Sequence, residues 1–325
     1  MSHLTYLEAA VVGLIQGVSE MFPVSSLGHN ILLPALLGGS WARDLSIAAP
    51  GSAYLAFIVG LHVATAVALL AYFWRDWLRI IRGFFSSLLH LRVETADQKL
   101  AWMIILATIP VGIAGVALQH AFEALFGHPL YAAAFLILNG LILLGGERLR
   151  RRSSLAADTV VARQRERAEL VAAGRHASTT RAARQREQAA TAIADRRLAT
   201  VSYWQAILIG SAQILALFAG ISRDGVTMVA GMRRGLARED AARFAFLLAT
   251  PAILAAGVLK VPDLLGPAGK GIHGPILAGS VIAAIGAYLS VRFLLRYLRT
   301  RTLVPFGIYC LVAGLASLAF LQLVR

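Results

Sequence analysis

Six stretches of this chain run for fifteen residues or more almost without charge: Ala53–Phe73, Ala101–Leu118, Tyr131–Gly145, Phe244–Leu259, Pro275–Leu289 and Leu303–Leu323. An α-helix needs roughly 20 apolar residues to cross the hydrocarbon core of a bilayer, where no water is present to satisfy backbone N–H and C=O groups. The longer stretches reach that length, and the shorter ones extend into flanking amphipathic turns. Apolar residues come in runs and do not alternate with polar ones, as they would in a half-buried strand. The expected class is an all-α polytopic membrane protein with six transmembrane helices. Only 15% of the residues are charged, against about 25% in an ordinary soluble domain.

The net charge of +14 invites a nucleic-acid reading, which the distribution of the basic residues removes. Four stretches between the spans, Arg75–Lys99, Arg148–Arg197, Arg233–Arg243 and Arg292–Arg301, hold 26 of the 31 Lys and Arg residues. With six spans placed as above, all four fall on one side, which the positive-inside rule makes cytoplasmic. Arg43, Lys260, Lys270 and Arg325 fall on the other side, and Arg223 belongs to neither set. The lone cysteine, Cys310, allows no disulfide framework and no thiolate metal site. The first apolar stretch has no basic segment before it and is interrupted by Gln16, Ser19 and Glu20, so it is expected to stay in the chain and not to act as a cleaved signal.

Compared with itself at an offset of 197, the chain shows a weak but ordered match. Ala9 faces Ala206, Gly13 faces Gly210, Gln16 faces Gln213, Ser25 faces Ser222, Gly28 faces Gly225 and Gly38 faces Gly235. Each matching segment has two short apolar arms around a polar turn, and neither arm is long enough to cross alone. Each is read as a re-entrant helical hairpin with a buried polar tip. Three spans follow each hairpin, and three is odd, so the second half enters the membrane from the opposite side. That is an inverted-topology repeat, an architecture with binding sites near the bilayer midplane. The expected units are a first repeat over 1–147, a basic cytoplasmic linker over 148–200 and a second repeat over 201–325. The linker's thirteen Arg against five acidic residues suit a solvated helix or loop, or a helix lying on anionic headgroups.

The two tips carry the groups capable of chemistry. The first runs from Gln16 to Asn30 and includes Glu20, Ser25, Ser26, Gly28 and His29; the second, Ala219–Thr227, includes Ser222, Arg223, Asp224 and Gly225. Ionisable groups at membrane depth are costly and face a partner or a polar cavity. Ser25 or Ser26, together with Ser222, can cap the helices that follow. Two helix N-termini then point at one centre that suits an anion such as phosphate, and the Arg223 fork can hold phosphate oxygens bidentately.

These tips resemble those of the membrane undecaprenyl-diphosphate phosphatases of the bacitracin-resistance type. The first motif of that family, Glu-Gly-x-x-Glu followed by Pro-x-Ser-Ser-x-Gly-His, is met by Gln16, Gly17, Glu20, Pro23, Ser25, Ser26, Gly28 and His29. Its second, Pro-Gly-x-Ser-Arg-Ser-Gly-x-Thr, is met by Ala219, Gly220, Ser222, Arg223, Asp224, Gly225 and Thr227. Likeness extends to Leu61-His62 with Thr65, to Ala107–Pro110 and to Arg243–Pro251.

The resemblance implies hydrolysis of undecaprenyl diphosphate to the monophosphate and inorganic phosphate, which recycles the lipid carrier of cell-wall synthesis. It places the protein in the bacterial inner membrane with the site opening to the outer face. Ser26 is then the nucleophile, with His29 as base or rival nucleophile. Ser25, Ser222, Thr227, Gly28 and Gly225 join Arg223 around the diphosphate. A divalent cation, Mg²⁺ or Ca²⁺, is implied, with Glu20, Gln16 and Asp224 as ligands, and Glu20 is also implied as a catalytic residue that binds the metal or orients Ser26 and His29. Gln16 stands where the family has Glu and Asp224 where it has Ser, so the number of carboxylates is kept. The polyprenyl diphosphate lipid and the bilayer are the expected partners, nucleic acid is not, and a homodimer is left open. The alternative is a polyprenyl-phosphate carrier or flippase that binds without hydrolysis.

Overall fold

The computed structural model describes residues 4–45, 53–118, 127–152, 193–195, 197–265 and 271–323. Most of the basic linker, 153–192, lies outside the described residues, so its expected structure is not addressed. The described residues form α-helices, one 3-10 segment and their connections, with no strand among them.

Six helices are long and apolar enough to span: α4 (Ala53–Tyr72), α6 (Ala96–Ala117), α7 (Pro129–Arg152), α10 (Arg238–Leu265), α11 (His273–Leu298) and α12 (Val304–Leu323). These are the six spans expected from the apolar runs. Large apolar side chains stay exposed on their outer faces, among them Ile113, Val116, Val258 and Leu277. A surface of that kind is suited to lipid and would be a liability in water. Between α4 and α6, α5 (Trp74–His90) lays Ser86 and Ser87 across the start of α6, where Gln98 and Trp102 donate to their hydroxyls at 3.3 and 3.0 Å.

Two short helical pairs complete the fold. In the first, α1 (Tyr6–Met21) leads through a four-residue turn to α2 (Ser26–Leu37), after which α3 (Gly39–Asp44) follows Gly38. In the second, α8 (Tyr203–Ser211) continues as a 3-10 segment, Ala212–Leu217, before α9 (Arg223–Arg233). Local sequence sets where these helices begin. Thr5 with Glu8, Thr95 with Gln98 and Ser202 with Gln205 form capping boxes at the starts of α1, α6 and α8, each partner filling a backbone donor that the helix leaves open.

Small residues let the helices approach backbone to backbone. A Cβ on Gly13 or Gly17 of α1 would run into the backbone of Gly279 or Ala283 on α11, and one on Gly210 of α8 into Ala107 of α6. Likewise α7 and α12 cross where Gly140 meets Gly307. Lipid tails are as apolar as leucine, so close packing and not hydrophobic expulsion holds such crossings together.

The four basic stretches collect at one end of the bundle through ion pairs. Arg79 reaches Asp76 at 2.6 Å and Asp195 at 2.7 Å, while Arg243 reaches Asp195 at 2.7 Å and Asp76 at 3.1 Å. Arg197 pairs with Asp240 at 2.9 Å, Arg299 with Glu239 at 2.8 Å, and Arg238 with Glu147. Buried pairs of this kind gain little net stability because desolvation offsets their attraction. What they do here is tie the last turn of the linker to α5 and α10.

Candidate active site

The two polar tips meet inside the bundle. A Cβ on Gly28 would lie 2.9 Å from the Gly220 Cα, and one on Gly225 would lie 3.2 Å from Pro23. Gly220 has φ +112, and Ala132 and Leu136 of α7 leave no room there for a side chain. The meeting point sits at mid-height, since His62 is the tenth residue of α4 and Asn139 the eleventh of α7, and both reach it.

Ser25 caps α2 with φ 68, a left-handed conformation that costs a non-glycine residue of order 1–3 kcal/mol. Its hydroxyl oxygen accepts the N–H of Gly28 at 3.3 Å and, across the interface, that of Gly220 at 3.1 Å. Ser222 caps α9 through the Gly225 N–H at 3.1 Å. Of the two serines offered as the first cap it is Ser25 that takes the role, Ser222 takes it in the second tip, and Ser26 is the first residue of α2 with its hydroxyl left for other work. Thr227 turns back on its own helix and donates to the Arg223 carbonyl at 2.7 Å.

Glu20 is the hub. The Arg223 guanidinium donates to its Oε1 at 2.6 Å, and Gln16 Nε2 donates to Oε2 at 3.0 Å. The Ser26 hydroxyl donates to the same Oε2 in a short hydrogen bond. His62 Nε2 stands 3.3 Å from it, while His62 Nδ1 faces the Ile58 carbonyl at 2.9 Å. Two acceptors facing one imidazole are both satisfied only when both nitrogens carry protons. Glu20 thus sits between the Arg223 guanidinium and the His62 imidazole.

Among the described residues the His29 ring hydrogen-bonds to groups other than Ser26. Its Nδ1 lies 2.7 Å from the Ser25 carbonyl and its Nε2 lies 2.7 Å from the Tyr309 hydroxyl. The resemblance offered His29 as base or rival nucleophile; in the fold the Ser26 hydroxyl donates to Glu20. Asp224 is 1% exposed, lies 3.6 Å from Arg223 Nε, and neither of its oxygens has a hydrogen-bond partner among the described residues.

The residues expected to ligate a divalent cation are linked through Arg223, with Gln16 on Glu20, Glu20 on Arg223 and Asp224 beside the Arg223 guanidinium. Gln16 turns its N–H toward Glu20 and its Oε1 toward the Asn30 amide, which donates at 2.7 Å. No group of three or more His, Cys, Asp or Glu that could hold a metal forms among the described residues.

Four contributors went unassigned at the level of sequence. His62 and Asn139 carried a signal, as polar residues inside otherwise apolar spans. Asn139 donates to the Pro23 carbonyl at 2.9 Å and accepts the Ser222 N–H at 3.0 Å, so it pins both tips. Asn30, bonded to Gln16, sits in the first tip and was legible there. Tyr309 carried no signal, because an aromatic residue in a span is ordinary.

Beside this polar centre opens a cavity of about 1060 Å³ walled by α1, α2 and α12. Phe22, Leu32, Leu136, Phe306 and Phe320 make it apolar, and His29 and Tyr309 form its polar edge. The polar centre thus adjoins a large apolar cavity.

The model of the family described as Bacitracin resistance protein BacA matches residues 9–316. The chain is 57% identical over 322 residues to a protein of Mycolicibacterium paratuberculosis named undecaprenyl-diphosphatase, with 99% of each covered. It is 56% identical, again with 99% of each covered, to one of Mycobacterium avium of the same name. A Frankia alni protein named undecaprenyl-diphosphatase 2 is 55% identical, with 97% of each covered.

Proposed function

The chain belongs to the BacA family of bacitracin resistance proteins, and we propose from that membership that it hydrolyses undecaprenyl diphosphate to undecaprenyl phosphate and inorganic phosphate. The observation that carries this reading to the residues is the Ser26 hydroxyl donating to Glu20 while Arg223 holds the other carboxylate oxygen. The lipid tail lies in the apolar cavity, and the diphosphate reaches the centre between the starts of α2 and α9, whose open backbone N–H groups favour phosphate oxygens.

Ser26 Oγ attacks the terminal phosphorus and passes its proton to Glu20. The bond from that phosphorus to the bridging oxygen breaks, and the lipid monophosphate leaves with the oxygen. Water then attacks the phosphoserine and gives its proton to His29 Nε2, while Ser26 Oγ recovers its own from Glu20 and phosphate departs. Arg223 spreads the charge that develops on the transferring group, which is where catalysis of phosphoryl transfer concentrates. Ser25 and Ser222 hold the tips that frame the diphosphate, with Gly28 and Gly225 keeping its approach open. Names of relatives over nearly the full length favour hydrolysis, and nothing favours the carrier alternative. Purified protein given undecaprenyl diphosphate is expected to release one phosphate per monophosphate formed. Binding without release would overturn the reading.

The cation, Mg²⁺ or Ca²⁺, belongs on this reading to the diphosphate and not to a protein cage. Calorimetric titration of the substrate-free protein with Ca²⁺ or Mg²⁺ should therefore show no site tighter than about 10⁻⁴ M, the range of weak oxygen-ligand modules. A micromolar site that is lost in Asp224→Asn would assign the metal to the chain after all.

In the finer architecture, each short pair is a re-entrant hairpin, and the repeats 1–147 and 201–325 are inverted copies joined by the 148–200 linker. Supporting this, α1 has 16 residues, about 24 Å at 1.5 Å per residue, short of the roughly 30 Å core. The packing of α1 on α11 is matched by that of α8 on α6, and Gly13 and Gly210, paired by the offset of 197, make the same kind of backbone contact. The basic end faces the cytoplasm of a bacterial inner membrane, and the site opens to the outer face.

A further inference from the structure

We propose that Tyr309 is a positioning residue for His29: its hydroxyl, donating to Nε2, holds that nitrogen unprotonated and aimed at the mouth of the lipid groove. The proposal rests on the hydrolytic reading above and adds to it a residue from the last helix.

The direction of each hydrogen bond follows from the partners. A backbone carbonyl cannot donate, so the 2.7 Å contact between His29 Nδ1 and the Ser25 oxygen puts the proton on Nδ1. In neutral imidazole the other nitrogen then carries the lone pair. The Tyr309 hydroxyl, 2.7 Å from Nε2, must be the donor there. The two rings are nearly parallel, 8° apart with centroids at 5.7 Å, so the tyrosine also sets the plane in which the imidazole lies. With Nδ1 alone bonded, the ring keeps one anchor and a rotational freedom that proton transfer does not tolerate.

Tyr309 is itself well placed to hold something still. It belongs to α12, which crosses α7 at the Gly140–Gly307 contact. Asn139, which pins both tips, also donates to Sγ of the neighbouring Cys310 at 3.3 Å. The helix that carries Tyr309 is therefore fixed to the two hairpins through one asparagine. At the same time the tyrosine is 47% exposed and lines the apolar cavity beside His29. A water or a phosphate oxygen arriving at the groove mouth can take the place of its hydroxyl on Nε2, so the bond that orients the base yields at the moment the base is needed.

The test is Tyr309→Phe, which keeps the ring and removes the hydroxyl. On undecaprenyl diphosphate kcat should fall about tenfold, because the base loses the orientation it is given before the chemical step, with KM changed less than about twofold. In a His29→Ala background the same substitution should cost nothing further, because the residue acts only through His29. A change confined to KM, or an equal loss in both backgrounds, would overturn the proposal and leave Tyr309 as a groove wall. A second measurement does not depend on turnover. Modification of His29 by diethyl pyrocarbonate, followed by mass spectrometry of its peptide, should run faster in Tyr309→Phe than in the parent, and an unchanged rate would also overturn it. Failure of the parent protein to release phosphate would instead strike the hydrolytic reading, so the two are told apart.

Discussion

Ser26→Ala should bind undecaprenyl diphosphate and release phosphate at no more than about one thousandth of the parent rate, the scale on which loss of a covalent nucleophile is felt. The expectation comes from one hydrogen bond. Ser26 is the tip hydroxyl pointed at a carboxylate, whereas the oxygens of Ser25 and Ser222 already cap helices. Removing it leaves Glu20 bonded to Arg223 and Gln16 and beside His62, so no charge is stranded and folding should lose only about 1 kcal/mol. Ser25→Ala provides the contrast. It forfeits a cap and the link to Gly220, worth about 0.5–2 kcal/mol of stability, and should keep the chemistry. Phosphate release and lipid binding measured on the same preparations decide the matter. A Ser26→Ala protein that still turns over would move the nucleophile to His29 or to water.

Arg223→Lys should lower turnover by about two or more orders of magnitude, roughly 3 kcal/mol of transition-state stabilisation, although the charge is kept. Arg223 has one nitrogen on Glu20 at 2.6 Å and its side chain remains 20% exposed, so the fork bridges the carboxylate and the space where phosphate oxygens arrive. An ammonium is a point charge on a different reach and cannot span both. Pairing with Glu20 by a lysine would keep the tips joined, which separates a catalytic loss from unfolding. Near-full turnover in the lysine variant would show that the fork holds the hairpins together and does not clamp the transition state.

Much of this protein can be read from the order of its residues because the bilayer imposes a simple rule. Runs such as Leu303–Leu323 have no stable place in water as exposed segments, and their length alone sets them as spans. The tips were legible for the same reason: Glu20, His29 and Arg223 interrupt apolar sequence, and charge at that depth demands partners. Capping by Ser25 and Ser222 was also local, a matter of a hydroxyl within reach of an N–H three residues on.

What sequence could not decide is which partner each group takes. Glu20 and Arg223 are 203 residues apart, His29 and Tyr309 are 280, and no periodicity relates them. The resemblance offered His29 as base or rival nucleophile beside Ser26, yet in the fold its imidazole faces the Ser25 carbonyl and the Tyr309 hydroxyl. Glu20, from the preceding helix, receives the serine proton instead. Hydrophobicity and helical spacing determine where each polar group sits along its own helix. The direction in which its hydrogen bond points depends on what the other half of the chain brings within 3 Å, and only the assembled tertiary structure decides that.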